Sequence, residues 1–172
     1  MGKGTDIGPV RYDVTITGTG RAAPQTMTVW LKGAWTTRMK MRQEMTSESE
    51  PTVLLVDYAT RTMYTYYPAQ SLAMRADFSG APELPMRGAG QIRPVYVGAD
   101  TVDGKTCDIY EWTYEGASVK AWLWMEHRLP VKLVSTTPAG VTTVEYKNME
   151  FGDIPDDTFR LPPDTIVGKL SS

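Results

Sequence analysis

The stretch Val119–Phe151, VKAWLWMEHRLPVKLVSTTPAGVTTVEYKNMEF, constrains the chain most, because it reads as three antiparallel strands joined by two tight turns. Side chains alternate across a strand, so Val119, Ala121, Leu123 and Met125 point one way and Lys120, Trp122, Trp124 and Glu126 the other. After the turn at His127 to Pro130, Val131 and Leu133 alternate with Lys132 and Val134, and Pro138-Ala139-Gly140 turns the chain into Val141 to Phe151. Both faces carry apolar bulk. A sheet with one solvated face shows polar residues at every second position. This one is therefore expected to be covered on one side and hollow or ligand-facing on the other.

The 172 residues fit one domain, with residues 1–9 disordered or left from expression, 10–163 folded and 164–172 a loose tail. The opening Met1-Gly2-Lys3-Gly4 is too short and polar for a signal peptide and runs almost directly into a strand, as expected of an exported precursor trimmed for expression. With 18 basic and 20 acidic residues interspersed and a net charge of -2, no basic stripe of a nucleic-acid binder exists. Cys107 stands alone, cannot form an internal disulfide and reads as a small buried side chain. No apolar run is long enough for a membrane-spanning helix.

Along the chain, Val10 to Thr17 forms a first strand ended by Gly18-Thr19-Gly20. Thr26 to Lys32 places Met27, Val29 and Leu31 on one face and pairs as a hairpin with Trp35 to Gln43, where Trp35, Met39 and Met41 oppose Arg38, Lys40 and Arg42. Glu44 to Pro51 is an acidic loop. Thr52 to Asp57 and Met63 to Tyr67 are short runs rich in β-branched and aromatic residues, hence strands. Gln70 to Phe78 fits a short strand or two turns of helix, and the Pro and Gly residues beyond it break anything longer, so residues 69–93 are expected to cross one mouth of the sheet as a lid. Strands return at Val95. Asp103-Gly104 is a hairpin turn into Thr106 to Glu115, and Glu115-Gly116 turns again, so five consecutive strands form a meander. In matching registers, Tyr110 and Trp112 would join Trp122 and Trp124 on one aromatic face. Asp156 is placed to cap a helical turn, with Phe159 and Leu161 pinning the tail to the sheet edge.

Several of these pieces resemble the LolA-like group of lipoprotein-sorting and carrier proteins, in its uncharacterised secreted branch. They are Val97-Gly98, Val102-Asp103-Gly104-Lys105, Cys107 to Tyr110, Ala121-Trp122-Leu123, Leu129 to Lys132, Val144-Glu145-Tyr146 and Ile154 to Phe159 with Leu161-Pro162. Val29 to Gly33, Arg38 to Met41, Asp57 and Met63-Tyr64 are similar to that group's earlier strands. The resemblance implies a mainly β (α+β) fold: a strongly curved antiparallel sheet, an incomplete β-barrel of about ten strands with few short helices, whose concave side takes a lipid or acyl chain. It also implies a lid-holding arginine, for which Arg38 is the positional candidate. The helix such proteins carry before the first strand is missing, and the central helical plug is cut up by Pro and Gly.

The expected apolar groove is lined by Met27, Val29, Leu31, Met39, Met41, Met63, Tyr110, Trp112, Trp122, Trp124 and Tyr146. Ordinary core packing explains the same residues, while Met offers a wall that adapts to chains of differing shape, and Trp and Tyr offer amphipathic edges. Catalysis finds no support. His127 lacks companion ligands for a metal, no serine sits in a nucleophile elbow, and no Gly-rich loop precedes a helix. The expectation is a non-catalytic, extracytoplasmic binder of a lipid or lipoprotein acyl chain, with no cofactor, metal or nucleic acid, meeting a lipoprotein or membrane-protein partner. The alternative is an interaction or envelope-sensor module that binds a protein, or a second copy as a homodimer, through the same surface.

Overall fold

In the computed structural model the described residues are 7–34, 36–46, 50–79 and 93–169. The expectations for residues 1–6, for Trp35, for 47–49 within the acidic loop, for 170–172 and for 80–92 of the lid lie outside them.

Twelve strands follow in chain order: β1 Val10–Gly18, β2 Gln25–Lys32, β3 Lys40–Thr46, β4 Thr52–Asp57, β5 Thr62–Tyr67, β6 Leu72–Asp77, β7 Val95–Val102, β8 Lys105–Tyr114, β9 Ala117–Trp124, β10 Leu129–Thr137, β11 Gly140–Phe151 and β12 Ile166–Lys169. Their hydrogen bonds order them β12-β6-β5-β4-β3-β2-β1-β11-β10-β9-β8-β7. The order ends at β12 and β7 without closing, and β12 runs parallel to β6 while the other described pairings are antiparallel. An open, mixed twelve-stranded sheet thus replaces the strongly curved antiparallel half-barrel of about ten strands. Among the described residues the only helical turns are the 3-10 segments Pro68–Gln70 and Asp156–Phe159.

By contacts the chain divides into two compact units. One holds residues 1–13, 26–82 and 148–172, the other 14–25 and 83–147.

In the first unit, β2 to β6 make a meander whose registers fix the faces. Leu31 pairs with Met41, Met41 with Val56, Val56 with Met63 and Met63 with Ala76. Thr28 pairs with Glu44, Glu44 with Val53, and Val53 with Tyr66 on the opposite face. One end of the first face is closed by a core of Val10, Leu31, Ala34 and Met39, against which Ile7, Tyr12, Met41, Tyr58 and Met149 pack. The opposite face buries Val53, Leu55, Tyr66 and Ala73 beneath Leu161.

Residues 36–39, within the segment expected to open β3, form a loop instead. Gly33 takes a left-handed φ of 66°, the Thr36 amide and hydroxyl both donate to its carbonyl, and the Met39 amide donates to Thr36. The strand begins at Lys40 and runs to Thr46, taking in the first residues of the expected acidic loop. Leu72–Asp77, within the expected lid, is a sheet strand, and Ile166–Lys169, within the expected loose tail, pairs with it. Asp156 is no cap. It lies inside its 3-10 turn, which starts after Pro155 without a side-chain capping bond.

The second unit holds the meander β7 to β10 with most of β11. Its turns follow the sequence signals: Asp103 and Gly104 both have positive φ, as do Glu115 and Gly116, which suits two-residue loops in a right-twisted hairpin. Those loops pair Val102 with Lys105 and Tyr114 with Ala117, which fixes β8 against β9 and β7 against β8 as far as Gly98, where a bulge shifts the pairing before Tyr96.

Candidate functional site

On the first unit, five methionines lie on one side of the sheet. Met27 pairs with Met45, Leu31 with Met41, Val56 with Met63, and Thr65 with Met74, so these side chains share a face with Val29, Leu54 and Leu72. Val29, Leu31 and Val56 are buried, whereas Met27, Met41, Met45, Leu54, Met63, Leu72 and Met74 are only half-buried. Of the predicted groove residues, Met27, Val29, Leu31, Met41 and Met63 are thus brought together here. Met39 lies in the loop before β3 and packs with Leu31 in the Val10 core, at 7% exposure. Arg38 sits in that same loop, exposed, with its amide donating to Thr36 Oγ1 at 3.2 Å. Met74, Leu54 and Leu72 were not singled out from the sequence, although the alternation Leu72, Met74, Ala76 carries the signal.

Beside the Val53 core, the other face of this unit carries a polar cluster tied to the C-terminal segment. Lys32 Nζ donates to the Ile154 carbonyl at 3.1 Å and to Asp156 at 2.9 Å, and Arg42 donates to the Thr158 carbonyl at 3.1 Å. The Lys32 ammonium beside Asp156 holds that carboxyl below its usual range. Arg42 also pairs with Glu44 at 2.6 Å. The Arg11 and Arg42 guanidinium groups each lie over the Trp30 ring, 5.9 and 5.8 Å from its centre. Beside it is a groove of about 280 Å³ lined by Arg11, Trp30, residues 150–155 and Thr158. Sequence reasoning passed over Trp30; an indole at a position flanked by Thr28 and Lys32 was the available sign. Nearby, Asp13 accepts from Thr28 at 2.8 Å, from Asn148 at 2.8 Å and from Arg11 at 3.1 Å. Burial opposes its charge, but the bonds from Asn148 and Thr28 and the Arg11 guanidinium outweigh it and lower its pKa.

In the second unit the registers separate the aromatic residues expected on one face. Tyr110 pairs with Ala121 and Trp112 with Val119, whereas Trp122 pairs with Ile109 and Trp124 with Cys107. Tyr110, Ala121, Leu133 and Val144 form one cross-strand row, with Tyr146 two residues on from Val144 and on the same side. Burial pushes the Tyr146 phenol above its usual range. Tyr96 meets Tyr110 edge to face at 5.8 Å. Trp122 and Trp124 point to the opposite side, with Lys105, Lys120 and Lys132. Cys107 is fully buried and its thiol pKa is raised chiefly by that burial, consistent with an inert side chain. Among the described residues no group of three or more His, Cys, Asp or Glu could hold a metal ion. His127 lies 3.7 Å from Glu126 and edge-on to Trp124.

No protein-family profile and no curated protein matches this sequence. Solved structures do share its fold. An uncharacterized conserved protein from Thermus thermophilus superimposes with a TM-score of 0.71 over 95% of this chain and 91% of that one, at 11% identity. A chain of the Pseudomonas aeruginosa MucA/MucB complex superimposes with a TM-score of 0.64 at 14% identity, over 94% of this chain and 58% of that one. MucB alone gives 0.64 at 13% identity, over 93% and 60%. The chain therefore shares the fold of MucB and spans a little under two thirds of the MucB chain.

Proposed function

We propose that this protein is a non-catalytic, extracytoplasmic binding protein that holds an apolar chain, a lipid or the acyl group of a lipoprotein, against the methionine face of β2 to β6. The observation that carries the reading is the register that gathers Met27, Met41, Met45, Met63 and Met74 on one half-buried face while ion pairs and the C-terminal segment occupy the other. Methionine is unbranched and polarizable, so such a wall accepts chains of differing length and bend. Each methylene taken from water is worth about 0.8 kcal/mol, so about ten of them supply about 8 kcal/mol before the cost of association. That is enough to hold a chain reversibly and release it to a partner. Arg38 is the candidate to hold a lid.

Displacement of a fluorescent fatty-acid probe tests this. Met41→Glu places a carboxylate in the middle of the face and should weaken probe binding at least about tenfold. Met125→Glu, in the exposed β9–β10 turn, should leave it unchanged. Absence of probe binding by the wild type, and of co-purified lipid in native mass spectrometry, would reject the reading.

A second reading is favoured by the MucA/MucB complex, whose fold this chain shares. On this second reading, the methionine face of this chain would bind a protein partner or a second copy of the chain. Light scattering separates the two, since a stable dimer without bound lipid fits the second.

A further inference from the structure

We infer that Gln43 reads the polar end of the bound chain: its side-chain amide hydrogen-bonds the carbonyl of an ester- or amide-linked acyl group laid on the methionine face of β2 to β6. The inference rests on the acyl-chain reading and narrows it, from any apolar chain to one that carries a carbonyl.

The registers place Gln43 in the middle of that face. It is the central residue of β3, Lys40–Thr46, with Met41 and Met45 on either side of it along the strand and Val29 and Leu54 opposite it on β2 and β4. Side chains two residues apart in a strand share a face, so an amide stands among thioethers and branched aliphatic groups. Gln43 is half-buried, and its side chain makes no hydrogen bond to any described residue. The other polar groups on this face are placed differently. Thr52 opens β4 and Tyr67 closes β5, both at strand ends, and the Thr65 hydroxyl beyond Leu54 can turn back on neighbouring backbone.

On the bare face, water satisfies the donors and the acceptor of the Gln43 amide. A chain laid across Met41, Met45 and Leu54 drives that water off, and an amide covered without a partner weakens binding about tenfold or more. A bare hydrocarbon has no group to take the water's place. An acyl carbonyl does, because its oxygen accepts from Nε2, and in an amide-linked chain the adjoining N–H donates to Oε1. A polar group left unpaired by the wrong ligand discriminates more sharply than a change of chain length does.

The test is displacement of a fluorescent fatty-acid probe from the full chain by methyl decanoate, by N-methyldecanamide and by undecane, in the wild type and in Gln43→Met, which removes the amide at nearly constant volume. The ratio of carbonyl-compound affinity to undecane affinity should fall at least about tenfold in the variant, while undecane binds it as well or better. A larger fall for the decanamide marks the amide-linked chain of a lipoprotein, a larger fall for the decanoate the ester-linked chain of a phospholipid, and either supports the inference. As a second measurement that needs no variant, the infrared carbonyl stretch of isotope-labelled methyl decanoate should move to lower frequency on binding than in alkane solution. A ratio unchanged by Gln43→Met, or a bound carbonyl stretch at its alkane position, overturns this inference alone; absence of probe binding by the wild type overturns it together with the reading it rests on.

Discussion

Single residues on the polar face of the first unit set a pH dependence that the sequence does not announce. Asp13 is held by Thr28, Asn148 and Arg11, and its pKa lies below the ordinary value of 3.8. A carboxyl with a lowered folded pKa stabilises the fold above its unfolded value and loses that contribution as the pH falls through the folded one. Thermal melts of the wild type and Asp13→Ala should therefore differ most above about pH 5 and converge as the pH falls below 3.8 through the lowered folded pKa. A difference that does not change with pH would refute the assignment. A second residue-scale demand is at Gly140, where φ is 143° and a Cβ would stand 2.5 Å from that of Thr19. Gly140→Ala should lower stability by about 2 kcal/mol or more, read as a fall in the denaturant midpoint.

At the scale of elements, the C-terminal segment is part of the sheet's cover. Leu161 rests on Val53, Leu55, Tyr66 and Ala73, while Lys32 and Arg42 fasten the chain before it. Leu161→Ala should cost about 1–2 kcal/mol, because the side chain is only half-buried, and calorimetry would detect it. The elements also divide by how legible they were. β4 was readable with its bounds, Thr52–Asp57, since an apolar run with β-branched residues ended in an Asp turn. β12 was not, because four residues at an edge leave no alternating pattern. Residues 36–39 belong to a run with strand-like composition, yet one left-handed glycine and the hydrogen bonds of Thr36 make them a loop, from which Met39 packs into the Val10 core. The register of β8 and β9 was available in the two-residue loop at Glu115-Gly116, which pairs Tyr114 with Ala117 and so places Trp112 opposite Val119. Residue type alone suggested that the indoles share a face; loop length separates them.

For the molecule as a whole, strand content and the order of the meanders followed from local patterns, while the parallel edge at β12 and the unclosed ends followed from nothing local. The first unit is assembled from three stretches of sequence, and its last stretch opens at Asn148. Asp13 takes its hydrogen bond from Asn148, and the Gly152 amide donates to the Pro9 carbonyl, so contacts near the start of the chain wait for its end. Until residues 148–152 have been synthesised, the amino-terminal strand lacks these partners. Vectorial synthesis therefore leaves the hydrogen bonding of this unit incomplete until residue 152 has been made, whatever its middle stretch has already paired.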